Sequence, residues 1–337
     1  MSLGSVEFIL PRPGGAPSSS NQSIPGPAEV AFTETFGTLL PSAQYLNTVN
    51  GKAAYYEMLP SSASSPGNSS HTPDRVVFIH GVQTPALGML PLACALQASF
   101  PLAHFVLVDL WGHGLSDTPV VPHDSSLFHL LLDALLDQLA WPSAHLVGFS
   151  FGGSLTVGFV ASRPSRVQSF TLVAPAGLMR SSNFTAEQQG YLRGEDEAAT
   201  RQWVLEFLED GELVVPADWK ERVGRGEVVA EAVREWQMRE HPGHVASVVA
   251  VFRDGGVLDN HVEFVRAVRT GIPSLAILGE ADDICSEREL NELGFANITV
   301  VPQVGHGVVR QRVPEVAAFI SDFWTKLNKA SSGGNTW

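Results

Sequence analysis

Gly148-Phe149-Ser150-Phe151-Gly152 sets a serine between two glycines in the pattern GxSxG. It falls where the apolar run His145–Phe149 gives way to a helical pattern over about 152–163. A chain that turns so sharply from strand to helix strains the serine and leaves its hydroxyl exposed at the helix N-terminus. There the helix dipole favours developing negative charge. The flanking glycines let strand and helix pass without collision. A GxSxG alone is common, but one at a strand–helix junction specifies a nucleophilic serine.

A neutral serine is a weak nucleophile and needs a base to take its proton. Of the eleven histidines, only His306 follows the second-last expected strand, in the small-residue setting Gly305-His306-Gly307. The imidazole in turn needs an acid to orient it and to stabilise its protonated form. The run Gly279-Glu280-Ala281-Asp282-Asp283 offers three carboxylates. Its spacing from Gly279 selects Asp282, with Asp283 the runner-up and Glu280 behind it. The segment after the preceding strand, APAGL (174–178), holds no acid. Two backbone N–H groups must meet the oxyanion. Phe151 supplies one by position, and Val82, in His80-Gly81-Val82-Gln83, the other. His80 reads as a buttress of that loop. Gln83, Trp111 and Phe149 are candidate substrate contacts, although the turn Asp109–Asp117 around Trp111 is expected to be structural.

These residues need a scaffold that brings several loops to one edge. Arg75–His80, Phe105–Leu110, His145–Phe149, Ser169–Val173, Pro273–Leu278 and Ile298–Val301 read as short, continuous apolar strands. Helical patterns alternate with them over about 83–98, 125–140, 152–163 and 312–327. That alternation predicts a parallel sheet covered on both faces. Asn50-Gly51, between apolar-aromatic runs in 44–59, predicts a hairpin. Residues 61–74 read as a polar loop. The stretch 178–245 is charged, helical and rich in Trp and Glu, without a good strand. It predicts a helical cap inserted between the sixth and seventh strands. The expected organisation is a flexible arm over 1–30, a core over 31–177 and 246–328, the cap over 178–245, and a disordered tail over 329–337.

Lys and Arg number 21 against 35 Asp and Glu, a formal net charge of −14. That balance argues against a nucleic-acid partner, which would require clustered cations. Two cysteines do not make a disulfide framework, and no basic n-region precedes an apolar core at the N-terminus. No uninterrupted apolar run is long enough to span a bilayer. The expectation is a cytoplasmic protein acting on a small molecule. The four NxS/T sequons, at Asn21, Asn68, Asn183 and Asn297, read as chance. No metal cluster or phosphate loop is visible, and the sequence leaves the oligomeric state open.

Taken together, HGV (80–82), DLWGHGLSD (109–117), GFSFGG (148–153), LGEADD (278–283) and VGHG (304–307) resemble the α/β-hydrolase superfamily. The order and spacing match across about residues 42–327 and are similar to a capped, esterase-like branch. The resemblance implies an eight-stranded, mostly parallel sheet with a helical cap and a mechanism free of cofactors. It implies cleavage of an ester, thioester or lactone of a small to medium apolar substrate through an acyl-enzyme. Carbon–carbon hydrolysis, a lyase or cyclase reaction, and a ligand receptor retaining the three residues are the alternatives. Two positions depart from common patterns. The loop after the third strand is HGVQ, without the usual extra glycines or proline, and Ser286 stands where many relatives carry proline.

Overall fold

The structure is a computed structural model that describes residues 8–14, 22–61, 73–209 and 211–332. Most of the expected polar loop at 61–74, part of the arm and the end of the tail lie outside the described residues.

Eight strands form one sheet: β1 (Gln44–Thr48), β2 (Gly51–Met58), β3 (Arg75–Ile79), β4 (His104–Val108), β5 (Ala144–Phe149), β6 (Val167–Val173), β7 (Ser274–Gly279) and β8 (Ile298–Val301). Their order across the sheet is β1-β2-β4-β3-β5-β6-β7-β8. The β1–β2 and β2–β4 pairs are antiparallel and all the others parallel. The hairpin forms, but its two-residue loop is Val49-Asn50, one residue earlier than the expected Asn50-Gly51, because Gly51, with φ 132°, already pairs with Thr48 as the first residue of β2. The central strands β3 to β6 are almost wholly buried, as expected of strands that have helices on both faces.

The sheet separates two apolar clusters. One gathers Leu131, Leu135, Phe151, Leu155 and Phe264; the other gathers Phe78, Leu92, Phe105, Ile320 and Trp324. They are covered by helices α1 (Leu90–Ser99), α2 (Ser125–Gln138), α3 (Phe151–Ser162) and others that follow the insertion. The expected helix over 83–98 is a 3-10 turn, Ala86–Met89, that continues as α1. Asp124 starts α2 by accepting hydrogen bonds from the amides of Ser126 and Leu127, the N-cap role its short side chain suits.

Between β6 and β7 the chain is helical: α4 (Ala186–Arg193), α5 (Glu197–Glu209), α6 (Trp219–Gly224), α7 (Ala230–Glu240), α8 (His244–Asp254) and α9 (His261–Arg269). The boundary expected at 245 falls within α8, one residue past its start. That helix is buried along both sides. Arg253 pairs with Glu197 on α5 at 2.7 Å, while His244 Nδ1 bonds the carbonyl of Gly112 in the core at 2.8 Å. A seam helix of this kind has no change of polarity to mark it.

The described parts of the arm are anchored, where a flexible segment was expected. Leu10 is buried against Ala246 and Ala250, and Arg12 pairs with Asp254 at 2.7 Å. Ser23–Ile24 forms a short antiparallel ladder with Thr118–Pro119. After β8, α10 (Val308–Gln311) leads into α11 (Val313–Ser332), so the last helix extends past the expected start of the tail at 329.

Candidate active site

Ser150 sits between β5 and α3 with φ 52° and ψ −118°, a conformation that non-glycine residues rarely adopt. The turn is held on both sides. Ser150 N donates to Val173 O at 3.1 Å, while Ser150 O accepts from Gly153 and Ala176. Gly152 is required by close approach, because a Cβ there would lie 2.1 Å from the carbonyl oxygen of Ile79. Gly81 has the same reason: its Cβ would fall 2.9 Å from that of Ser150. The loop after β3 therefore runs directly against the serine.

His306 lies in the loop after β8 and its Nε2 is 2.9 Å from Ser150 Oγ. Its Nδ1 is 3.1 Å from Asp282 Oδ2 and 3.3 Å from Oδ1. The Asp282 side chain is fully buried, whereas that of His306 is 29% exposed. Asp282 also accepts from the Ile284 amide at 3.0 Å, which fixes the carboxylate plane. With the proton on Nδ1, Nε2 is free to accept from the serine. The other two carboxylates of the run point elsewhere. Glu280 accepts from the Gln303 amide at 2.9 Å, and Asp283 lines a cavity beside His306. Ser286 gains a local reason as well: it caps the helix Glu287–Glu292 in a reciprocal capping box with Glu289.

Of the two expected amide donors, Val82 lies in the loop after β3, next to Gly81, and Phe151 follows Ser150 at the first position of α3. Among the described residues, neither N–H has a hydrogen-bond acceptor. The Phe151 ring points away into the core, edge-on to Phe128. The loop is braced from behind. His80 Nδ1 donates to Gly81 O at 2.6 Å, so its Nε2 accepts from the Leu110 amide at 2.9 Å. Gln83, with φ 69°, donates its amide to His113 Nε2 at 3.2 Å.

The candidate substrate contacts divide. Phe149 packs against the His306 imidazole, ring centroids 5.3 Å apart. Gln83 is buried and its Nε2 is bound to Glu209 on α5 at 2.8 Å, so its side chain braces the insertion. Trp111 is 1% exposed and is not among the residues lining the cavity at His306. The 109–117 turn folds it inward, because its carbonyl accepts from Ser247 and His113. Asp109 closes that turn, accepting from Ala86, Leu115 and the Tyr56 hydroxyl. Burial raises its carboxyl to about 6, against the pull of those three donors.

Beside His306 lies a cavity of about 560 Å³, lined by Met179, Phe207, Leu208, Asp283 and Ile284 among others. Two side chains from the insertion reach the loop after β3 without any signal in the sequence. They are Glu209, through Gln83, and Gln237 on α7, whose amide meets both Gln83 O and Gly114 N.

Residues 74–239 match the family model of the alpha/beta hydrolase fold. This chain has the α/β-hydrolase fold. Among solved structures, it is similar to the enol-lactonase from Burkholderia xenovorans LB400. The TM-score is 0.61 at 21% identity, over 84% of this chain and 100% of that one. A thermophilic esterase from Thermogutta terrifontis with malate bound gives 0.61 at 15% identity, over 85% and 99%. Among curated proteins, it is 28% identical over 213 residues to a Pseudomonas putida protein, 63% of this chain and 53% of that one. That protein is the dihydrolipoyllysine-residue acetyltransferase component of an acetoin cleaving system. A monoacylglycerol lipase of Xenopus laevis is 27% identical over 150 residues, 42% of each chain. The chain thus spans about half the length of the curated relatives it matches, or less. Among the described residues, no helix is long and apolar enough to cross a membrane.

Proposed function

We propose that this α/β-hydrolase-fold protein is a serine hydrolase that cleaves an ester, thioester or lactone of a small to medium substrate. One observation carries the reading. A strained, half-buried serine is 2.9 Å from an imidazole whose other nitrogen is 3.1 Å from a buried carboxylate. In this reading Ser150 Oγ attacks the carbonyl carbon as His306 Nε2 takes its proton, and Asp282 stabilises the imidazolium. The amides of Val82 and Phe151 receive the oxyanion. The intermediate collapses as the C–O or C–S bond breaks, and His306 gives its proton to the leaving alcohol or thiol. Water then attacks the acyl-serine, again through His306, to release the acid and restore Ser150.

The helical insertion acts as a cap over this edge of the sheet. Its side chains Phe207 and Leu208 join His306 around the cavity, which has room for a short or medium acyl chain. Labelling with a fluorophosphonate, followed by mass spectrometry, tests the mechanism, with nitrophenyl ester turnover measured alongside. The expected adduct is on Ser150 and is lost in Ser150→Ala. A folded protein that is unlabelled at Ser150 and turns over no ester would overturn the proposal.

A further inference from the structure

Gln83 is bent into a conformation that its side chain disfavours. Its φ is 69°, and the amide of Thr84 reaches back to the carbonyl of Val82 at 2.9 Å. A positive φ inside such a three-residue turn marks the rare, strained γ type. A glycine would take this backbone freely. Any other residue is disfavoured there by roughly 5- to 150-fold in an unsupported loop. The sequence HGVQ, without the usual extra glycines or proline, therefore calls for a physical reason.

The partners of Gln83 supply that reason. Its amide donates to Nε2 of His113 at 3.2 Å, a nitrogen left as an acceptor because Nδ1 serves the carbonyl of Trp111. Its carbonyl accepts from Gln237 on α7, and its side chain donates to Glu209 on α5 at 2.8 Å. Glu209 is held in turn by Arg234 on α7, 3.3 Å away. Gln83 is only 5% exposed, so water is poorly placed to take over these bonds. Two of the three partners belong to the insertion, and only a side chain at this position can reach Glu209.

Val82 lies between this fixed point and a hinge. Its N–H belongs to the peptide unit whose carbonyl, that of Gly81, accepts from His80. Gly81 carries no Cβ, so the backbone before Val82 turns easily. Restraint comes from the other side, where the carbonyl of Val82 and the amide of Gln83 are both bonded. We propose that Gln83 is a positioning residue for the reaction at Ser150. Tied to Glu209 and Gln237, it holds the Val82 amide toward the oxyanion, so the oxyanion hole is complete only while the insertion is docked on the sheet. This rests on the serine-hydrolase reading and gives the insertion a part in catalysis beyond covering the site.

Two measurements test it together: turnover of 4-nitrophenyl butyrate, and inhibition by 1,1,1-trifluoroheptan-2-one, a ketone that Ser150 would convert to a tetrahedral oxyanion. Circular dichroism checks that each variant is folded. Gln83→Ala keeps the strain and loses the tether. Its kcat falls roughly tenfold or more with KM little changed, and the inhibition constant of the ketone rises by a similar factor. Gln83→Gly relieves the strain and restores kcat to within about threefold of wild type. Glu209→Ala lowers kcat as Gln83→Ala does, and the double variant is no worse than either single one. An unchanged kcat in Gln83→Ala or Glu209→Ala, a rise in KM alone, or a Gln83→Gly no better than Gln83→Ala overturns the assignment. Hydrogen exchange adds a readout that needs no turnover. The amides of Gln83 and Thr84 exchange at least about tenfold faster in Glu209→Ala than in wild type, and equal rates overturn the hold of the insertion on the loop. Faster exchange with no ester turned over by the wild type would uphold that hold and sink the hydrolase reading instead.

Discussion

The side-chain amide of Gln237 donates to the carbonyl of Gln83 and accepts from the amide of Gly114 at 2.8 Å. Gln237 is fully buried, on a helix of the insertion, and Gln83 is the residue next to Val82. The insertion therefore grips the loop that carries one of the two proposed oxyanion donors. A cap that merely covered the site would have no need of such a contact.

Gln237→Ala leaves the buried Gly114 amide and Gln83 carbonyl without this partner, which costs on the order of 1–3 kcal/mol in urea unfolding. If the grip positions Val82, kcat on a nitrophenyl butyrate also falls, by roughly tenfold, with KM little changed. A loss of stability with kcat intact would restrict Gln237 to packing.

The geometry separates Asp282 from its neighbour. Asp282→Asn lowers kcat by about 10³–10⁴, since the imidazole loses both its orientation and its counter-charge. Asp283→Asn is at least about a hundredfold more active than Asp282→Asn, because Asp283 lines the cavity and does not touch His306 Nδ1. Comparable losses in the two variants would remove Asp282 from its assigned role.

Gly152→Ala drives a methyl group into the Ile79 carbonyl, which belongs to the central strand β3. Neither the strand nor the start of α3 can shift alone. The expected loss is on the order of 3 kcal/mol or more in denaturant unfolding. A variant as stable as wild type would mean that the strand–helix packing is looser than described.

Acid should unfold the protein early. Burial pushes His80, His123, His129, His145 and His241 down to about 4, His244 to about 3, and His113 well below its ordinary value. In the unfolded chain each titrates near 6.5. The unfolded state then binds more protons as pH falls from about 6.5 towards 4, so stability is complete above that window and drains away within it. Each histidine contributes up to ~1.4 kcal/mol per pH unit there. Asp109 and Glu209 work in the opposite sense, since burial raises both carboxyls and they are protonated first in the folded state, but they are two groups against seven. The melting temperature should fall by roughly 10 °C or more between pH 7 and pH 5. A flat profile would show that these imidazoles ionise without loss of the fold.

Much of the scaffold was legible because its signals are local. Continuous apolar strands, the hairpin near Asn50 (its loop one residue earlier than expected) and the Gly148–Gly152 junction each need only a few neighbouring residues. His306 followed from chain order, and Asp282 from its distance to Gly279. What could not be read depends on contacts between segments far apart in the chain. Gln237 meets Gln83 across 154 positions, and nothing near either residue announces it. Trp111 looked like a pocket aromatic, yet its turn folds it inward to satisfy the hydroxyl of Ser247.

The anchoring of Arg12 on Asp254 orders events during synthesis. The arm leaves the ribosome 242 residues ahead of its acceptor, an interval of roughly ten to fifty seconds at ordinary elongation rates. Throughout that time Leu10 has no Ala246 or Ala250 to cover it. Attachment of the arm must then be one of the last contacts made, sealing α8 after the helices of the insertion have met the sheet. The segment made earlier would be among the last to settle.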